Sequence, residues 1–108
     1  MSVSNNSIIS DFNELAAAMD DRDRDGVVDA LKYGSPLMRH ACIVYLIARD
    51  WHDESFIDPI KALRDDFSPV MFELPLNLYA YAYLDKYGVE KYEGDLGPIV
   101  KDISSIRE

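Results

Sequence analysis

Apolar positions spaced three and four apart organise the first half of the chain. Phe12, Leu15, Ala16 and Met19 share one helical face, and Asp11 stands in the capping-box relation to Glu14, which predicts a helix over 11–20. The charged stretch Asp20 to Asp25 follows and is closed by Gly26. Val27, Val28, Leu31 and Lys32 then predict a short helix ending near Gly34, with Asp25 placed to cap it. Ser35-Pro36 restarts the chain, the serine capping free amides and the proline occupying the first turn, where its missing N–H costs nothing. The helix they open should run to about Arg49. Its centre, Ala41 to Ala48, is unbroken apolar sequence that would also suit a buried strand, but the capped start and the length favour a fully buried helix.

The second half is punctuated by proline and glycine. After the loop Asp50 to Glu54, the residues Phe56, Ile57, Ile60, Leu63 and Arg64 predict a helix ending at Asp65-Asp66, with Asp58-Pro59 as a second possible start. Ser68-Pro69 should open another helix. Pro75 must kink or interrupt it, because proline removes a backbone donor and clashes with the carbonyl of Met71, and the remainder runs on to Tyr87. Gly88 stops that helix, Gly94, Gly97 and Pro98 break the next stretch, and 99–106 form a last short helix. Residues 1–10 are expected to be a flexible N-terminus. Tyr79, Tyr83 and Tyr87 recur every fourth residue, opposite Leu74, Leu78 and Tyr81, so the helix after Pro75 is apolar all round. It is either central in a core, the favoured reading, or shows a tyrosine face to a partner.

An internal similarity ties the halves together. Ala30-Leu31-Lys32 to Ser35-Pro36-Leu37-Met38 recurs as Ala62-Leu63-Arg64 to Ser68-Pro69-Val70-Met71, an offset of 32 to 33 residues. Each copy reads as a short helix, a tight turn and a longer apolar helix, a unit that must stack on a neighbour to bury its apolar face. Over roughly 27–87 the chain resembles the short HEAT-like helical repeats, in which a residue such as Arg39 often sits at the start of the second helix; the second copy has Phe72 at that place. The resemblance implies an all-α single domain of about six helices in stacked antiparallel hairpins, with 11–20 and 98–106 as caps.

Charge then narrows the function. Among 108 residues, 20 are Asp or Glu and 11 are Lys or Arg, so the net charge of −9 opposes nucleic-acid and anionic-membrane binding and favours a basic protein partner. The one cysteine, Cys42, can form neither an internal disulfide nor a zinc site, and the start Met-Ser-Val-Ser-Asn-Asn lacks the features of a signal peptide. A soluble cytoplasmic protein is the expectation. His40 and Cys42, two apart on a helix, point in different directions, and acid-flanked His52 reads as a surface-loop histidine. No catalytic string occurs, so neither an enzyme nor a cofactor is expected. Asp21, Asp23, Asp25, Gly26 and Asp29 match part of an EF-hand calcium loop, but Lys32 occupies the place of the bidentate acid, so the string reads better as an acidic loop leading into a helix.

In a stacked-hairpin array the loops 20–25, 50–54 and 88–95 should share one edge. They hold 10 acids against 3 bases, −7 of the −9. Asp21, Asp23, Asp50, Asp53, Glu54, Glu90, Glu93 and Asp95 would form an anionic rim, with Trp51 and Tyr92 as anchors for a basic protein. In size and charge the chain resembles the immunity proteins of bacterial toxin systems, contact-dependent growth inhibition included, whose toxins are often basic nucleases. The resemblance implies a stoichiometric inhibitor. A calcium-responsive domain using Asp21, Asp23, Asp25 and Asp29, and a repeat-type adaptor binding through its tyrosine face, are the alternatives.

Overall fold

A computed structural model describes residues 11–70 and 73–107, with side chains to 104; the expected flexible segment 1–10 lies outside the described residues. The chain is all-α: α1 (Phe12–Asp20), α2 (Arg24–Tyr33), α3 (Pro36–Ala48), α4 (Glu54–Lys61) with a 3₁₀ turn (Ala62–Asp65), α5 (Leu76–Lys86) and α6 (Gly97–Arg107). Two N-termini are built from the expected chemistry. Asp11 accepts from the Glu14 amide at 2.8 Å and Ser35 from Met38 at 3.2 Å, and Pro36 fills the first turn of α3. Asp53 caps α4 through Ser55 at 2.9 Å. The second helix begins earlier than expected. Asp23, not Asp25, is its cap, accepting from Gly26 at 3.1 Å, so Arg24 and Asp25 already belong to α2. Likewise Pro59 sits inside α4 rather than at its start.

The helices pack in antiparallel pairs. α2 and α3 run antiparallel, Cys42 Sγ lying 3.9 Å from the Val27 carbonyl while Arg39 donates to the carbonyl of Lys32. α4 with its 3₁₀ turn runs antiparallel to α5, the Asn77 amide bonding to the Asp66 carbonyl at one end and the Tyr83 hydroxyl to the Trp51 carbonyl at the other, while α2 packs on α4 and α3 on α5. The core centres on α3 and α5. Ile43, Val44, Leu46, Leu76, Tyr79, Ala80, Tyr83 and Leu84 are all fully buried, each large side chain contributing roughly 1.5–3 kcal/mol relative to exposure. The segment 41–48 is therefore a buried helix and not a strand, and the stripe of Tyr79 and Tyr83 is core, which leaves the adaptor alternative without its exposed tyrosine face.

The second repeat copy departs from the expected pattern. Among the described residues Ser68-Pro69 opens no α-helix; Val70 donates to the Leu74 carbonyl at 2.9 Å, Leu76 to Ser68 at 2.8 Å, and Pro69 faces Pro75 in an isolated antiparallel bridge. A helix from Pro69 would carry Pro75 in its interior, with an unfilled hydrogen bond and a steric clash. The chain instead turns back on itself, and α5 starts at Leu76 with Pro75 extended before it.

Candidate partner-binding edge

Three helices, α1, α3 and α5, end in the same turn. In each, the residue after the C-cap adopts a left-handed conformation and donates back to the helix: Arg22 to Met19 at 3.1 Å, Asp50 to Ile47 at 3.0 Å and Gly88 to Asp85 at 3.1 Å. The following residue closes the wider ring, Asp23 to Ala18 at 2.8 Å, Trp51 to Leu46 at 2.9 Å and Val89 to Leu84 at 2.9 Å. Only the third uses glycine. Arg22 at φ 57° and Asp50 at φ 53° take a conformation that costs an ordinary residue roughly 1–2 kcal/mol.

The three turns lie side by side. Arg49 reaches Asp20 at 3.3 Å and Arg24 reaches Asp53 at 3.1 Å, joining the first turn to the second; the Tyr87 hydroxyl donates to Asp50 at 2.8 Å, and His52 stacks on Tyr87 at 4.7 Å, joining the second to the third. Two of the three predicted loops, 20–25 and 50–54, therefore share one edge. The third only begins there. After Val89 it folds back along α5, where Glu90 accepts from Arg64 at 2.6 Å and Tyr92 stacks on Tyr81 at 4.6 Å. Glu90 and Tyr92 thus have intramolecular partners on that flank, and Asp95 accepts from the Gly97 amide at the start of α6, while Glu93 is exposed. The charge excess is also smaller than the loops alone suggest, because Arg49 and Arg64 reach in from neighbouring elements.

The acids on the edge fall into two groups. Asp23 and Asp53 cap α2 and α4, and Asp25 and Glu54 sit in first turns, where negative charge suits the helix dipole. Bonds from the backbone and hydroxyl of Ser55, with Arg24 adding, hold the Asp53 carboxyl below its usual range. Asp20, Asp21 and Asp50 occupy C-terminal positions of α1 and α3, where the dipole favours cations and neither helix has a basic residue in its last turn. Capping accounts for the first group; the second stands against the helix dipole, with Asp20 paired to Arg49 and Asp50 bonded to Tyr87.

Trp51 is half-buried rather than fully presented. Its indole meets core Phe56 edge-on at 5.0 Å, and the Arg22 guanidinium lies over its ring at 4.7 Å. The loop beneath is pinned by core tyrosine: the Tyr83 hydroxyl contacts His52 Nδ1 at 3.0 Å and donates to the Trp51 carbonyl at 3.4 Å. Burial raises the Tyr83 pKa, so its hydroxyl keeps its proton for this bond. The Asp21 to Asp29 string does not fold as a calcium loop, since Asp25 and Asp29 lie within α2, and among the described residues no three acidic, histidine or cysteine side chains converge on a metal position.

A second polar cluster escaped the sequence reading. Asp102 on α6 is buried, accepts from the Tyr79 hydroxyl at 2.6 Å and lies 3.6 Å from Nε2 of buried His40, whose ring meets Tyr79 edge-on at 4.4 Å. Burial lowers the His40 pKa, outweighing the opposing pull of Asp102. The signal for this cluster was an acid set between Ile99 and Ile103 on an apolar stripe. Cys42 is buried, its thiol pushed far up by that burial, as a core filler would be. Among the described residues no helix is long and apolar enough to cross a membrane. Comparison with family models, curated proteins and solved structures finds no match to this chain.

Proposed function

We propose that the edge formed by the ends of α1 and α3 binds a basic protein, and that the chain is a stoichiometric inhibitor of the immunity-protein kind, acting in the cytoplasm on a nuclease-type toxin. The observation that carries this reading is the group Asp20, Asp21 and Asp50, whose charges oppose the helix dipoles they stand on. Charge kept at a cost to the fold is what selection for a partner would leave behind. Its field adds to that of the capping acids Asp23 and Asp53 and of Glu54, steering a cationic partner before contact. Trp51 then supplies apolar area at the centre, as binding hot spots do. The mechanism is occlusion: carboxylates take the place of phosphates in the partner's cleft, and the inhibitor itself needs neither a cofactor nor a catalytic residue. Glu90 and Tyr92, folded back along α5, would lie outside the contact.

The test mixes the purified protein with basic nuclease domains and follows nucleic-acid cleavage. One equivalent should abolish the activity of a cognate domain, with an association rate that falls steeply as salt rises. Undiminished cleavage by every domain at molar excess, or a rate indifferent to salt, overturns the reading.

A further inference from the structure

Resting on that reading of the edge, we propose that Trp51 and the carboxylates around it form a guanidinium site that takes arginine side chains of the partner in preference to lysine, and that Arg22 fills this site in the free protein as an internal competitor. Arg22, Asp23, Arg24, Asp25, Trp51 and Asp53 line a hollow of about 280 Å³ between the first and second turns. Both kinds of guanidinium contact are already made inside it by the chain's own residues. Arg22 lies over the indole at 4.7 Å, within cation–π range, and Arg24 pairs with Asp53 at 3.1 Å. A planar guanidinium can stack on the ring while its edge meets a carboxylate, whereas an ammonium offers only a point charge.

The backbone at Arg22 argues that its side chain is there for the ring. The matching position in the turn after α5 is Gly88, which meets the left-handed requirement without strain, and nothing in the turn's hydrogen bonding calls for a side chain. Arg22 is exposed, so it can swing into water when an arginine of the partner replaces it. The exchange swaps one ring contact for another, and this makes the site selective while limiting its strength in the absence of a complementary surface.

The single tryptophan of the chain reports on the site directly. Titrating wild type with oligo-arginine and oligo-lysine peptides of equal length, at low salt and following Trp51 fluorescence, should show tighter binding of the arginine peptide. Arg22→Gly suits the turn and should bind oligo-arginine about threefold more tightly or better, in keeping with the loss of one competing cation–π contact, with a smaller change for oligo-lysine. Arg22→Lys should fall between the two. If the two peptides bind equally and Arg22→Gly changes neither, the inference fails while the acidic edge stands as a general cation surface. If neither peptide binds either protein, the inference and the reading of the edge fail together.

Discussion

His40 is an ionisable side chain inside the core, and its pH behaviour follows from that position. Burial lowers its folded-state pKa below the unfolded value, so the unfolded chain binds the extra proton. Stability should therefore be fully present above pH ~6.5 and decline as pH falls below that unfolded-state value. Urea midpoints at pH 7.5 and pH 5.5 should differ for wild type, and the difference should shrink in His40→Gln; an unchanged gap would assign it to other groups. The left-handed turns give a second prediction at this scale. At Gly88 a Cβ would meet nothing within 4 Å, so Gly88→Ala isolates the conformational penalty and should lower stability by about 1 kcal/mol. Asp50→Gly removes a smaller strain, since aspartate tolerates the left-handed region better than alanine, together with a carboxylate at a helix C-terminus, but gives up the Tyr87 bond, and should raise stability by at most about 0.5 kcal/mol. Thermal melts of both variants check the pair, and equal signs would show that the turns are not equivalent.

Whole elements are tied down by the polar tips of core tyrosines. Tyr79 holds α6 through Asp102, as Tyr83 and Tyr87 hold the loop 50–54. Tyr79→Phe leaves a buried carboxylate short of a donor, which should cost about 1–3 kcal/mol. Amide exchange should rise in α6 well before α2 or α4 is affected; uniform faster exchange would mean that the bond serves the whole core. Element order was legible in the sequence because caps and apolar spacing are local, as at Asp11, Ser35-Pro36 and the stop at Gly88. The similarity of Ser68-Pro69 to Ser35-Pro36 misled because the second opening pair is followed by Pro75 six residues after Pro69, and that proline decides the outcome. For the edge, adjacency of the loops 20–25 and 50–54 was readable from the hairpin order. The retreat of 88–95 was not, because it depends on the tertiary partners Arg64 and Tyr81. The place of Asp102 between Ile99 and Ile103 marks it as facing inward, but nothing local names its partner His40, 62 positions away.

At the scale of the molecule, the −9 charge sets stability against binding. Asp20, Asp21 and Asp50 repel the ends of their own helices and their acidic neighbours, and the solvent-exposed Arg49–Asp20 pair offsets little of this, so removing their charge without changing their shape should help the fold. The variant Asp20→Asn, Asp21→Asn, Asp50→Asn brings the net charge from −9 to −6. Asparagine is also at home in the left-handed position that Asp50 occupies and can still accept from Tyr87. Each change should contribute about 0.3–1 kcal/mol at low ionic strength, an advantage that salt should erode by screening. Association with a basic protein should move the other way, slowing at low salt because the removed charges are those left over after capping, the ones that extend the field outward. Denaturation curves at low and high salt, paired with stopped-flow association to a nuclease domain that the wild-type protein inhibits, measure both effects on one variant. A triple variant that is no more stable at low salt, or that associates as fast as wild type, would mean that these three acids serve the fold after all and that binding resides elsewhere on the surface.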